Sequence, residues 1–223
     1  MLSIVIPALH AEATLRGTLE VSVQAPAPRD IIVSDGGSAD DTRGVALSYG
    51  ARVLTSAPGR GRQLAEGAKS TTGDWLLFLH ADTRLGEGWQ ACIQSFMENP
   101  DNQQKVGVFR FLLDDPAPGA RRIERLVDWR TRTLGLPYGD QGLLISRTFH
   151  DSLGGFAPLP LMEDVEFIRR VGKRNIVVMD ADAITSAVRY QRAGYWLRPL
   201  RNLSLLILYF AGVSPDFLAK VYD

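Results

Sequence analysis

The sequence predicts an α/β fold in which helices flank a mixed, mostly parallel sheet and a helical C-terminal tail follows. Over the first hundred residues, apolar runs of strand length alternate with segments of helical periodicity, which is typical of βαβ units. Two of these apolar runs end abruptly on aspartate, as strands do at the ligand-binding edge of an open α/β sheet. Hydrophobic residues make up 45% of the 223 residues, which is ordinary for a globular protein with a full core.

The first half of the chain is predicted to contain four strands separated by helices. The strands are expected at Ser3–Pro7, Asp30–Asp35, Ala51–Thr55 and Trp75–Leu79. The helices are expected at Ala13–Gln24, Asp41–Tyr49, Gln63–Ser70 and Trp89–Glu98. Ser38 is predicted to cap the second helix. The single cysteine, Cys92, excludes an intrachain disulfide and is expected to be buried or half-buried in its helix.

Beyond residue 100 the alternation becomes less regular. Strands are predicted at Val106–Leu112, Leu143–Ser146 and Ile176–Met179, and helices at Arg121–Leu134, Met162–Val171 and from Gly194 onwards. Tyr195 and Trp196 are expected to pack this tail onto the sheet. The sequence contains no internal repeat and no clear linker, so residues 1–223 are predicted to form a single domain.

Charge and apolar patterning restrict the partners and the location of the chain. Lysine plus arginine equals aspartate plus glutamate, 25 against 25, so no overall field recruits nucleic acid. The chain opens on a strand without the features of a signal peptide, which predicts a cytoplasmic protein. The apolar run Leu203–Val213 is about half of the roughly 20 residues that span a bilayer, and predicts a buried terminal helix. The alternative is contact with the inner face of the membrane through Arg192, Arg198 and Arg201.

Two aspartates lie at or just beyond the ends of predicted strands. Asp35 begins the turn Asp35-Gly36-Gly37-Ser38, and Asp82 follows the apolar run Leu76–Leu79. Asp82 is a candidate ligand of a hard divalent cation, because such cations prefer oxygen and often lie on substrate phosphates. Asp35 either accepts a hydrogen bond from a nucleotide or caps its own turn. His80 is either a metal ligand or a structural hydrogen-bonding residue.

Two further motifs carry charge next to a predicted helix start. Gly59-Arg60-Gly61-Arg62-Gln63 joins glycine amides and two arginines, and is either a phosphate site or a solvated basic turn. Glu163-Asp164 is either a general base with an acidic neighbour or favourable charge at a helix N-terminus. Spacing alone does not decide between these interpretations.

Taken in order, these motifs resemble the family-2 inverting glycosyltransferases with the GT-A fold. The matching segments are Ser3–Leu9, Val33–Thr42, His80–Thr83 and Glu163-Asp164. More narrowly, Gly59–Gln63, Leu79–Thr83 and Tyr138–Gly142 look like a bacterial subgroup named for its genomic association with radical-SAM/selenodomain proteins. The resemblance runs from residue 2 to about residue 222.

The resemblance implies a Rossmann-type GT-A sheet, a UDP- or GDP-sugar donor, a hydroxyl acceptor and Mg²⁺ or Mn²⁺. It divides the domain into a nucleotide-binding half (about 1–100), an acceptor and catalytic half (about 101–190) and the helical tail (about 191–223). Asp82 matches the last acid of the family's Asp-X-Asp metal motif, in which His80 takes the first position. Asp164 matches the catalytic base, and Glu163 is its supporting neighbour.

The resemblance also implies which residues contact the two substrates. Gly139, Asp140 and Gln141 would line the acceptor or donor-sugar side. Nucleotide contacts are implied for Pro7, Ala8, Leu9, Glu12, Asp35, Gly36, Arg60, Arg62, Ala81 and Arg189. Glu12 stands one position away from the acid that usually follows the first strand in the family.

Two alternatives remain open from the sequence. A nucleotidyltransferase that makes nucleotide sugars would share the sheet and the metal, but a glycine-rich basic loop would follow its first strand, where this chain has Pro7-Ala8-Leu9-His10. A non-catalytic nucleotide-sugar-binding or membrane-associated protein is the second alternative. It is suggested by the displaced Glu12 and by the single carboxylate of the metal motif.

Overall fold

One sheet organises the part of the chain that the computed structural model describes, residues 1–222. Its strands are β1 (Leu2–Ala8), β2 (Arg29–Asp35), β3 (Arg52–Thr55), β4 (Trp75–Phe78), β5 (Thr83–Leu85), β6 (Val106–Leu113), β7 (Leu143–Ser146) and β8 (Ile176–Thr185). They lie in the order β3-β2-β1-β4-β7-β6-β8-β5. The pairs β1–β2, β1–β4, β2–β3 and β6–β8 are parallel, whereas β7 is antiparallel to both neighbours and β5 is antiparallel to β8. The predicted mixed, mostly parallel sheet is confirmed.

Helices cover the sheet and form the tail. They are α1 (Glu12–Ser22), α2 (Thr42–Ser48), α3 (Arg60–Lys69), α4 (Trp89–Glu98), α5 (Pro118–Trp129), α6 (Arg147–Ser152), α7 (Glu163–Val171), α8 (Val188–Ala193), α9 (Leu197–Phe210) and α10 (Pro215–Tyr222). A π-helical turn, Arg130–Leu134, extends α5, and short 3₁₀ turns lie at Pro100–Asn102, Gly139–Gln141 and Lys173–Asn175.

Burial on both sheet faces explains why six of the seven residues of β1, all but Ser3, are apolar. Its alternate residues point to opposite faces, so Ile4 packs with Leu15 of α1 on one side and Val5 packs with Leu64 of α3 on the other. All seven residues of β1 are buried. This two-sided core holds the carboxyl ends of β1, β2 and β4 in fixed positions.

Several element boundaries differ from the predictions for identifiable physical reasons. α3 begins at Arg60 rather than Gln63, after Gly59 adopts a φ of 128° that non-glycine residues rarely adopt. The strand predicted at Ile176–Met179 continues to Thr185, because its outward Asp180 and Asp182 form ion pairs with Arg110 of β6. Because these two residues are acidic, the second half of the strand does not form an apolar run, and a hydrophobicity pattern does not reveal it.

The predicted capping role of Ser38 is wrong. The helix begins four residues later, at Thr42, whose backbone N–H donates to Asp40 Oδ1 over 3.2 Å. Ser38 Oγ instead accepts a hydrogen bond from the His10 N–H over 2.9 Å. This hydrogen bond connects the loop after β1 to the loop after β2.

The terminal helix is not the buried helix that its apolar run predicts. Leu205 and Leu206 of α9 are buried, but Leu203 is 51% exposed and Ile207 58% exposed. Tyr195 packs near β6 as expected and donates a hydrogen bond to Asp115, whereas Trp196 is 70% exposed. Within residues 1–222, no helix combines the length and the apolar character needed to cross a bilayer.

Candidate active site

A cavity of about 120 Å³ opens beyond the ends of β4 and β8. The turn after β4 provides His80 and Asp82, and the segment before β7 provides Tyr138 and Asp140. The helices and the tail complete the wall with Arg60, Leu161, Met162, Asp164, Val165, Thr185, Ser186, Arg189, Tyr190, Arg198, Asn202 and Leu205. Residues from both predicted halves and from the tail therefore share one space.

Three aspartates face this cavity, and their surroundings differ. Asp164 Oδ2 accepts a hydrogen bond from the Gly139 N–H over 2.9 Å, and its Oδ1 accepts one from the Val165 N–H over 2.7 Å. Burial raises the pKa of Asp140 to about 6, and the charges of Asp164 and Asp82 act in the same direction. Asp140 Oδ1 is buried without a hydrogen-bond partner among residues 1–222. Asp164 is thus held as an anion by two backbone hydrogen bonds, whereas burial favours the protonated form of Asp140.

His80 lies in close contact with the turn that holds Asp164. A Cβ atom on residue 139 would come within 2.5 Å of His80 Nε2, so glycine allows this close approach. Burial lowers the pKa of His80 well below its usual value, and the positive charges of Arg60 and Arg189 lower it further. The imidazole is therefore neutral at physiological pH, and a neutral ring nitrogen can ligate a metal.

Glu163 acts on the cavity through Arg60 rather than by facing it. Its carboxylate is fully buried and forms an ion pair with the Arg60 guanidinium, which does line the cavity. Burial raises the pKa of Glu163, while Arg60 lowers it. Met162, with a φ of 63°, turns the chain into α7 so that Glu163 points inward and Asp164 faces the cavity.

The predicted nucleotide contacts after β1 and β2 form a separate, rigid unit. Ala8 pairs with Asp35 in the sheet, and the Gly36 N–H donates to the Ala8 carbonyl over 2.9 Å. Gln63 Nε2 donates to the carbonyls of Ala8 and Ser34, 2.7 Å from each. Gln63, which the sequence analysis did not single out as a site residue, thereby connects α3 to both strand ends.

Asp35 is engaged within its own turn. Burial raises its pKa, but hydrogen bonds from Ser38 and from the Arg43 guanidinium outweigh that effect and lower the pKa below its usual value. Arg43 Nε lies 2.6 Å from Asp35 Oδ2, and the carboxylate is fully buried. Asp35 therefore caps its own turn, as one of the two interpretations predicts.

The structure brings part of the predicted set together and leaves the rest outside the cavity. Arg60, Asp82, Asp140, Asp164 and Arg189 line it. Gly139 and Glu163 support that wall, and Gln141 is buried behind it, donating to the Phe109 carbonyl. The residues that do not line it are Pro7, Ala8, Leu9, Glu12, Asp35, Gly36, Arg62 and Ala81.

The tail supplies cavity residues that no sequence pattern revealed. Asn202 and Leu205 reach the cavity from the inner face of α9. Burial raises the pKa of Tyr190 to about 12, so its hydroxyl stays protonated at neutral pH. Arg130 lies 3.4 Å from the ring centroid of Tyr138. In the sequence, only the basic and aromatic residues around Tyr190 indicated that the tail contributes to a site. The cavity contacts of Asn202 and Leu205 depend on how the tail folds back onto the sheet.

Comparisons with known proteins agree with this architecture. The sequence model described as "Glycosyl transferase family 2" matches residues 3–157, which is well over half of the chain. Glucosyl-3-phosphoglycerate synthase of Mycobacterium tuberculosis is 35% identical over 92 residues, covering 36% of this chain and 28% of that protein. The chain thus spans less than a third of this curated relative. The resemblance expected from the motifs is confirmed at the level of the family.

Solved structures show the same fold at low sequence identity. S. aureus TarS 1-349 in complex with UDP has a TM-score of 0.61 and 15% identity, covering 82% of this chain and 57% of that one. The M. tuberculosis glucosyl-3-phosphoglycerate synthase in complex with Mn²⁺, UDP and glucosyl-3-phosphoglycerate has a TM-score of 0.58 and 22% identity, covering 83% and 70%. These similarities confirm the GT-A-like fold predicted from the sequence.

Proposed function

The chain belongs to glycosyl transferase family 2, and we propose that it moves a sugar from a UDP- or GDP-sugar to an acceptor hydroxyl with inversion. This proposal rests on one observation, which is that Asp82, Asp140 and Asp164 line the same cavity as Arg60 and Arg189. Carboxylates suit proton transfer and cation binding, and guanidinium groups suit phosphate. The domain division and the radical-SAM subgroup remain predictions.

Asp164 is the proposed general base. Its Oδ2 is held by the Gly139 N–H and its Oδ1 by the Val165 N–H, so the carboxylate has a fixed orientation at the cavity wall. Asp164 would take the proton of the acceptor hydroxyl. The hydroxyl oxygen would then form a bond to the anomeric carbon from the face opposite the diphosphate, and the bond to the diphosphate oxygen would break.

The residues in the cavity fit a hard divalent cation. Asp82 and Asp140 offer carboxylate oxygens, Asp140 Oδ1 has no partner among residues 1–222, and Mg²⁺ and Mn²⁺ prefer such ligands. No group of three or more acidic, histidine or cysteine residues within the described chain is arranged to hold a metal. We therefore propose that Asp82 holds the cation together with donor diphosphate oxygens, with His80 and Asp140 beside it. When bound, the cation would neutralise negative charge on the leaving diphosphate.

The positive side chains would stabilise the same leaving group. Arg60 lines the cavity at the N-terminus of α3, and Arg189 lines it from α8. Fixed positive charge aimed at a developing negative charge is often the largest catalytic contribution. The base of the nucleotide would lie towards Asp35 and the buried strand ends Pro7 and Ala8. The other proposed nucleotide contacts are Leu9, Glu12, Gly36, Arg62 and Ala81.

The test is a transfer assay on the full chain with a panel of UDP- and GDP-sugars, with and without Mn²⁺. Phosphoglyceric acid is a suitable first acceptor, because a relative was solved in complex with it. Acceptor-dependent release of UDP or GDP, with a product of opposite anomeric configuration, is the expected result. Retained configuration would contradict inversion. Pyrophosphate formation from a nucleoside triphosphate and a sugar phosphate would instead support the nucleotidyltransferase alternative, and tight donor binding without turnover would support the non-catalytic one.

A further inference from the structure

The outward face of α9 carries a continuous stripe of exposed apolar side chains. Its members, hereafter the α9 stripe, are Trp196, which directly precedes the helix, and Leu200, Leu203, Ile207 and Phe210. They follow each other at intervals of four and three residues, which places them on one face of the helix. Each is between 49% and 70% exposed, whereas Leu205 and Leu206 on the inner face are buried. An exposed apolar surface of this continuity indicates a binding surface.

Positive charge surrounds the α9 stripe. The guanidinium of Arg122 lies 4.3 Å from the Trp196 ring centroid, and that of Arg169 lies 5.2 Å from the Phe210 ring centroid. Arginine therefore flanks the stripe at both of its ends. Arg192, at the end of the neighbouring α8, is exposed as well, and residues 183–215 contain no aspartate or glutamate. The surface is both apolar and basic.

We propose that the α9 stripe docks on an anionic lipid surface, with α9 lying in the plane of the headgroups. A basic helix with aromatic and aliphatic residues on one face binds membranes in this way. The 14 residues of α9 span about 21 Å, which is short of the roughly 30 Å hydrocarbon core, so the helix lies on a bilayer rather than across it. Trp196 suits the interface, where tryptophan is enriched in membrane proteins.

Charge favours this occupant over a second copy of the chain. If the stripe packed against itself, Arg122 and Arg169 at its two ends would approach the arginines at the ends of the partner's stripe, whichever way the two helices ran. An anionic headgroup layer instead offers negative charge to the arginines at both ends of the stripe. The inner face of the same helix lines the cavity with Asn202 and Leu205, so docking would hold the candidate active site next to the lipid surface.

The test is cosedimentation of the full chain with phosphatidylcholine vesicles that contain or lack phosphatidylglycerol. We expect binding to the anionic vesicles and little binding to the neutral ones. The triple variant Leu200→Gln, Leu203→Gln, Ile207→Gln replaces the three central members of the stripe, all of them exposed, and should lose binding. Leu47→Gln changes a leucine that is 62% exposed on α2, and should bind as the unmodified chain does.

A second pair of variants tests the charge. Arg122→Gln with Arg169→Gln should weaken binding to the anionic vesicles about fivefold per arginine removed. Arg16→Gln, whose arginine lies over the Tyr49 ring far along the sequence from α9, is the matched control. Equal binding by the stripe variant, equal binding to neutral vesicles, or a lipid-free dimer that the stripe variant abolishes would each overturn the proposal. Circular dichroism and thermal melting of each variant show whether a loss of binding reflects unfolding.

Discussion

Arg60, the first residue of α3, forms an ion pair with Glu163, the first residue of α7, across 103 positions of sequence. Glu163 is fully buried, and Arg60 lines the cavity. The pair therefore connects the segment expected to contact the nucleotide with the segment that carries the proposed base. Because movement of Arg60 would leave the buried Glu163 carboxylate without this counter-charge, the pair helps to set the position of Arg60 relative to Asp164.

Removing Arg60 is expected to destabilise the protein. Arg60→Ala would leave the Glu163 carboxylate buried without its main counter-charge, so the free energy of unfolding should fall by about 3 kcal/mol, at the low end for buried pairs because Arg60 is partly exposed. Adding Glu163→Gln to Arg60→Ala should restore part of the loss. Urea unfolding measures both effects. Arg62→Ala, two residues later and exposed, should change stability by less than about 0.5 kcal/mol, and an equal loss there would refute the argument.

Replacing the proposed base should separate binding from turnover. In Asp164→Asn the amide oxygen can still accept the Gly139 hydrogen bond, so the fold and donor binding should persist. The turnover number should fall by about 10²- to 10⁴-fold, the usual contribution of a general base. Asp180→Asn, at a carboxylate that is 91% exposed, is the control and should keep full activity. Full activity in folded Asp164→Asn would exclude the proposed role.

Asp82 is expected to make nucleotide binding depend on the metal. Calorimetric titration of UDP and of GDP should show tighter binding with Mn²⁺ than with EDTA, because carboxylate and diphosphate oxygens share the cation. Asp82→Ala should lose this difference. Asp180→Ala should retain it. Binding of equal strength with and without Mn²⁺ in the unmodified chain would remove Asp82 as a required ligand.

Arg189 should contribute to binding of the diphosphate. It lines the cavity from α8, whereas Arg192, three residues later in the same helix, is exposed and does not line it. Loss of a charge-assisted contact costs roughly 1.5–3 kcal/mol, so Arg189→Ala should weaken UDP or GDP binding by about 10- to 100-fold. Arg192→Ala should leave the dissociation constant within about twofold. Equal effects of the two substitutions would place the diphosphate elsewhere.

Asp140 should make the stability of the metal-free protein depend on pH. Its pKa is raised from 3.8 to about 6 in the folded state, chiefly by burial, so between these values the folded protein binds the proton more tightly than the unfolded chain. Its contribution to stability is therefore present below about pH 4 and is lost as pH rises through 6.

Asp140→Asn removes this titration. The free energy of unfolding of Asp140→Asn, relative to the unmodified chain, should increase between pH 4 and pH 6 by on the order of 2 kcal/mol and then stay constant. Denaturant unfolding in EDTA measures it, and Asp180→Asn is the control. A stability difference that does not change with pH would show that Asp140 is not the group that titrates.

The sequence by itself determined the sheet elements whose signals are local. β1 and β4 are short apolar runs, both buried on two faces, and each was predicted within a residue or two. Asp82, Asp164 and Arg60 were singled out as candidates by their places near a strand end or a helix start, whereas the roles proposed for them come from the resemblance to the family. The missed β5 (Thr83–Leu85) and the second half of β8 depend instead on pairing with each other and with β6.

Tertiary structure alone decided which candidates meet. Arg60 and Glu163 pair only after α3 and α7 pack on the same side of the sheet, and Gly139 reaches Asp164 across 25 positions of sequence. The apolar run of α9 predicted a buried helix, yet its stripe is exposed, because the rest of the chain buries the side of α9 that carries Leu205 and Leu206. A periodic pattern in the sequence determines that one face of a helix is apolar. Whether that face is buried depends on which other parts of the chain pack against it, and only the tertiary structure decides this.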